Sequence, residues 1–66
     1  MQVKINGKSE DVQGPTILDL LKSKSIDSHM VAVELNAAMV ERDQFGATKI
    51  KDGDALEFLF YMGGGR

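Results

Sequence analysis

The segment from Ala55 to Met62 constrains the fold more than any other part of the chain. Leu56, Phe58, Phe60 and Met62 fall on one side of a period-two alternation, and Ala55, Glu57, Leu59 and Tyr61 on the other. A strand that is apolar on both sides belongs in the middle of a sheet. Gly63-Gly64-Gly65-Arg66 follows it. Glycine has no side chain to pack and the most backbone freedom to lose, so this run cannot prolong an ordered element. The chain therefore reads as one domain over 1–62 and a flexible glycine-rich tail over 63–66.

The rest of the sequence must build that sheet from little material. With 66 residues there is room for a single domain. A core of this size yields only ~3–5 kcal/mol of net stability. No cysteine is present, which excludes disulfides, thiolate metal sites and a side-chain persulfide. Val3 and Ile5 alternate with Gln2 and Lys4, the pattern of a half-buried strand. Asn6-Gly7 is a strong hairpin signal, because both central residues of a type I′ turn need positive φ. Lys8 to Val12 should return antiparallel as a polar edge strand. Gly14-Pro15 breaks the chain, and Thr16 with Asp19 forms a capping-box pattern. Ile17, Leu18, Leu20 and Leu21 then give a helix of two to three turns ending near Lys24 or Ser25. Alone it would be marginal, so it must pack on the sheet.

Val31, Val33 and Leu35 alternate with Ala32 and Glu34 in a third strand. Asn36-Ala37-Ala38 reads as a turn and Met39-Val40-Glu41 as a short partner strand. Arg42 to Ala47 reads as irregular chain with one helical turn anchored by Phe45, and Thr48-Lys49-Ile50 as a short strand or bridge. Asp52-Gly53-Asp54 makes a turn into the last strand. The simplest packing is an α+β fold of the ubiquitin-like β-grasp kind. It has a mixed four- to five-stranded sheet, the last strand parallel to the first, and one main helix across one face. The expected core is Val3, Ile5, Ile17, Leu20, Leu21, Val31, Val33, Leu35, Phe45, Ile50, Leu56, Phe58 and Phe60.

Side-chain catalysis finds no support. His29 is the only histidine. Read as the approach to a strand, Asp27, Ser28 and His29 alternate in direction and prepare no triad. Asp52 and Asp54 lack the further ligands and terminal Glu of a calcium loop. Gly63-Gly64-Gly65 lacks the Lys-Ser/Thr pair of a phosphate loop. A formal net charge of −2 argues against nucleic acid. No apolar run approaches the ~20 residues of a membrane span. The opening Met1-Gln2-Val3-Lys4-Ile5 has no signal-peptide pattern, so a cytoplasmic location is expected.

What remains is the tail. Four extended residues reach ~13 Å, and glycines thread a narrow channel. That suits activation of a terminal carboxylate, where a bulky side chain beside the carbonyl would obstruct attack. A frayed end or expression remnant is the other reading that composition leaves open. If Leu56, Phe58 and Phe60 face the helix, then Leu59 and Tyr61 beside Glu57 lie on the open sheet face. They are candidates for partner contact. Glu41 and Asp43 are candidates for steering toward a basic surface.

One resemblance covers essentially the whole chain. Val3-Lys4-Ile5-Asn6-Gly7-Lys8, Thr16-Ile17-Leu18-Asp19-Leu20-Leu21, Val31-Ala32-Val33-Glu34-Leu35-Asn36, Val40-Glu41-Arg42, Asp52-Gly53-Asp54-Ala55-Leu56-Glu57-Phe58 and Gly64-Gly65 occur in order. The sequence thereby resembles the ThiS/MoaD family of sulfur carriers, closest to its ThiS branch, of thiamine biosynthesis. The resemblance implies a protein cosubstrate, not an enzyme, with no cofactor of its own. An E1-like adenylating enzyme, using ATP and magnesium, would activate the carboxylate of Gly65, with Gly64 and Gly63 leading to it. Sulfur from a cysteine desulfurase or other persulfide donor would make the thiocarboxylate. A thiazole synthase would then take that sulfur for the thiazole ring. The alternatives are the same chemistry serving molybdopterin, cysteine or tRNA thiolation, and a ubiquitin-like modifier or binding domain without sulfur. Family tails end at the second glycine, whereas this chain continues to Arg66, so its removal before activation is expected.

Overall fold

The computed structural model describes residues 1–61. Met62 and the expected tail, Gly63 to Arg66, lie outside the described residues. Strands β1 (Gln2–Ile5) and β2 (Lys8–Asp11) form the first hairpin. Helix α1 (Ile17–Ser23) follows, then β3 (Val31–Leu35), β4 (Ala38–Val40) and β5 (Ala55–Phe60). One five-stranded sheet has the order β2-β1-β5-β3-β4. β5 runs parallel to β1 and antiparallel to β3, so the last strand is central, in the β-grasp arrangement.

Local chemistry explains the elements. Asn6 and Gly7 both take positive φ, 51° and 85°, as a type I′ turn requires. Thr16 caps α1: its hydroxyl accepts from Asp19 N–H while the Asp19 carboxylate accepts from Thr16 N–H. The next free amides of the helix start are satisfied by tertiary partners. Ile17 donates to the Thr48 carbonyl at 3.1 Å and Leu18 to that of Phe45 at 3.0 Å. The Arg42–Gln44 3₁₀ turn and the Thr16–Lys49 bridge are thereby fastened to the helix end.

Ile17, Leu20 and Leu21 of α1 pack against Val3, Ile5, Val31, Val33, Leu56 and Phe58 of the sheet. Phe45 and Ile50 close the core from the long connection. Three residues depart from the expected core. Phe60 is 55% exposed and not core: it is the last residue of β5, in the terminal pair of the β3–β5 ladder. It contacts Phe58 edge-on, with ring centroids 6.5 Å apart. Leu35 is only half-buried, and Val12, not expected inside, is buried because its N–H and carbonyl tie it to Met1. On the polar β2 edge, Lys24 lies 2.7 Å from Glu10 and the N-terminal ammonium 3.1 Å from Asp11.

Candidate functional site

Two asparagines fix β5 at its start and middle, and the Tyr61–Met30 hydrogen bond holds the end that leads to the tail. Asn6 N–H donates to the Leu56 carbonyl at 3.0 Å. Its side-chain oxygen accepts from Phe58 N–H at 2.8 Å, and its amide nitrogen reaches the Phe58 carbonyl at 3.4 Å. The side chain thus stands in for the residue that β1 would have supplied had it not turned away. Asn36 acts likewise from the β3 side. Its N–H donates to the Ala55 carbonyl at 2.7 Å and its side-chain oxygen accepts from Ala55 N–H at 2.9 Å. Its amide also donates to Asp54, which is buried and accepts from Lys51 N–H as well. Asp54 therefore holds a turn, as the Asp-Gly-Asp spacing suggested. Both asparagines sit in positive-φ hairpin turns, and the second turn places Ala37, not glycine, at φ 71°.

The register decides which side chains surround the strand end. Tyr61 N–H donates to the Met30 carbonyl, and Leu59 and Glu57 lie opposite Ala32 and Glu34. Directly opposed residues share a face. Glu34 is also opposite Met39 on β4. The face turned away from α1 therefore carries Met30, Ala32, Met39, Leu59 and Tyr61 around the strand end, with Glu34 and Glu57 at the margin. Met30, Met39, Leu59 and Tyr61 are 46%, 58%, 48% and 51% exposed. A depression of about 240 Å³ beside them is lined by Ala32, Met39, Glu41, Arg42, Phe45 and Tyr61.

The structure thus brings Leu59, Tyr61 and Glu57 onto one exposed surface, as the strand alternation implied. The sequence reading missed Met30, Met39 and Glu34. Glu34 was legible from its alternation with Val33 and Leu35. Met39 required the type of the Asn36-Ala37 turn, which sets the β3–β4 register. Met30 lies in a 3₁₀ turn (Ser28–Met30), where period-two reasoning does not apply. His29 is exposed and prepares no triad, as expected, although the chain here is a 3₁₀ turn and not extended. Asp27 caps it, accepting from His29 N–H at 2.9 Å, and its carboxylate lies 3.3 Å from His29 Nδ1. The amide hydrogen bond, then the ring, then the Arg42 charge hold the Asp27 carboxyl below the usual aspartate range. Both side chains are exposed, and the arrangement is a cap. Among the described residues no cluster of three metal-ligating side chains occurs, and no helix is long and apolar enough to cross a membrane.

A model of the ThiS family matches residues 2–65, from the start of β1 through the second glycine of the Gly64-Gly65 pair. The chain belongs to the ThiS family. It is 31% identical to the sulfur carrier protein ThiS of Bacillus subtilis, over 96% of this chain and 98% of that one. The crystal structure of the thiamine biosynthesis protein ThiS from Geobacter metallireducens superposes with a TM-score of 0.84 at 43% identity, covering 98% of this chain and all of that one. The chain is also 35% identical, over 98% of its length, to part of a thiazole synthase from Paramagnetospirillum magneticum. It spans about a fifth of the length of that relative (20%). The ThiS match supports the β-grasp assignment and the placement of the diglycine after the central strand.

Proposed function

We propose that this ThiS-family chain is a sulfur carrier for thiazole formation in thiamine biosynthesis, acting as a cosubstrate through the carboxyl group of Gly65. The observation that carries this reading is the family match running through Gly65, past a central strand clamped by Asn6 and Asn36. A fixed strand end delivers the tail to a partner without first ordering its own base. Once hydrolysis of the Gly65–Arg66 peptide bond has freed it, a carboxylate oxygen of Gly65 attacks the α-phosphorus of ATP, and pyrophosphate leaves. An E1-like enzyme supplies the nucleotide and magnesium. A sulfur nucleophile, provided by a cysteine desulfurase or another persulfide donor, then attacks the acyl carbon and AMP leaves. Gly65 presents no Cβ beside the attacked carbonyl, and Gly64 and Gly63 extend the same freedom toward the strand.

The thiocarboxylate sulfur would pass to a thiazole synthase. The similarity to one fifth of a thiazole synthase supports that pairing, because carrier-like and remaining sequence occur there in a single chain. The exposed surface of Leu59, Tyr61 and Glu57 is the docking patch in this reading, and the cytoplasm is its site of action. Incubation of the chain processed to Gly65 with ATP, magnesium, the cell's own E1-like enzyme and a sulfide source tests it by intact mass. The expected product is heavier by the exchange of one oxygen for one sulfur at the C-terminus. An isopeptide bond to a lysine would instead mark a modifier. Gly65→Trp should abolish the exchange, and normal sulfur delivery by that variant would refute the role of the glycine.

A further inference from the structure

The partner-facing sheet surface holds an arrangement that the free domain does not satisfy. Glu34 and Glu57 are directly opposed across β3 and β5. The hydrogen bonds of Tyr61 to Met30 and Asn36 to Ala55 put this pair in the hydrogen-bonded class, with Cα atoms ~5.5 Å apart. Like charges so placed repel. Among the described residues no lysine or arginine forms an ion pair with either carboxylate. Lys4, on the same face of β1, is in register with Ala55, two residues short of Glu57. Arg42 donates its Nε to the Ser28 carbonyl at 3.1 Å. Glu34 is half-buried and stands between Glu57 and Met39.

We propose that Glu34 and Glu57 jointly receive one basic side chain, most suitably an arginine, of the adenylating enzyme as it covers the Met39, Leu59 and Tyr61 surface. This rests on the sulfur-carrier reading above and specifies the partner's chemistry at the same patch. A guanidinium matches two adjacent carboxylates with paired, charge-assisted hydrogen bonds. Covering the neighbouring apolar groups removes water from around the contact and strengthens it. A second copy of this chain is the poorer occupant, since a self-facing surface would bring further carboxylates to an already repulsive pair. The fold loses nothing if either glutamate is neutralised, so stability and docking should respond in opposite directions.

ATP–pyrophosphate exchange by the cell's E1-like enzyme, at varied carrier concentration, tests this on the chain processed to Gly65, with Glu34→Gln, Glu57→Gln and the double variant. Each single variant should raise KM by about tenfold with kcat unchanged, and the double variant should add little more, because the partner group is shared. The wild-type KM should rise steeply with salt and those of the variants should not. The thermal midpoint of each variant should rise by ~1–4 °C as repulsion is relieved. An unchanged KM in the variants, with the wild type adenylated normally, overturns the receptor and leaves the carrier reading standing. A lowered midpoint would make the pair a structural element and overturn it too. Wild-type dimers in sedimentation equilibrium that dissociate on Glu57→Gln would reassign the face to a second copy. No exchange with wild-type protein would remove the carrier reading and this inference together.

Discussion

The two faces of the sheet are made of similar residue types and do opposite things. On the α1 side Val3, Ile5, Val31, Val33, Leu56 and Phe58 are sealed under Ile17, Leu20 and Leu21. On the other side Met30, Met39, Leu59 and Tyr61 stay about half exposed. Apolar side chains left in water contribute nothing to folding, so the second face has to be read through what covers it. The comparison teaches that in so small a domain one face supplies the stability and the other is available for association. Phe60 marks the boundary: it alternates with the buried set, yet at the end of β5 it stays exposed.

Substitutions on the two faces should separate these roles. Leu20→Ala opens a cavity at a residue only 1% exposed and should cost about 3 kcal/mol. That is most of the ~3–5 kcal/mol such a domain has, so urea titration should find it partly unfolded at 25 °C. Leu59→Asp, on the open face, should lower kcat/KM for adenylation by about 30-fold. Its unfolding free energy should stay within ~0.5 kcal/mol of the parent. Equal loss of stability in both variants would abolish the distinction between the faces. Asn6→Gly keeps the positive φ but removes the bonds to Phe58, and should cost about 1 kcal/mol. Hydrogen exchange should speed up at the Phe58 amide and leave Leu20 unaffected at the same depth of opening. The smallest effect belongs to the turn that sets which β4 side chain joins the open face. Ala37→Gly relieves φ 71° and should raise stability by ~0.5–1 kcal/mol, read as a higher urea midpoint at unchanged slope.

Much of this architecture was legible because local signals agreed with one another. The Asn6-Gly7 turn, the Thr16–Asp19 capping box and the two-sided apolar pattern of the last strand each carry a short-range physical cause. The sequence signals failed where the cause is long-range. Phe60 has the right period for burial, but it is the last residue of β5, in the terminal pair of the β3–β5 ladder, and stays exposed. Val12 is polar-flanked and nonetheless buried, since Met1 is bonded across to it.

By itself the sequence determined that the last strand is central, that the helix starts at Thr16 and that the ThiS-type diglycine follows the sheet. These follow from side-chain period, capping chemistry and glycine's missing Cβ, all of which act within a few residues. Tertiary structure alone decided that Glu34 opposes Glu57, that Met39 and Met30 join Leu59 and Tyr61, and that two turn asparagines clamp β5 from opposite sides. Those neighbours are 18 to 52 residues apart, and only strand register brings them within reach.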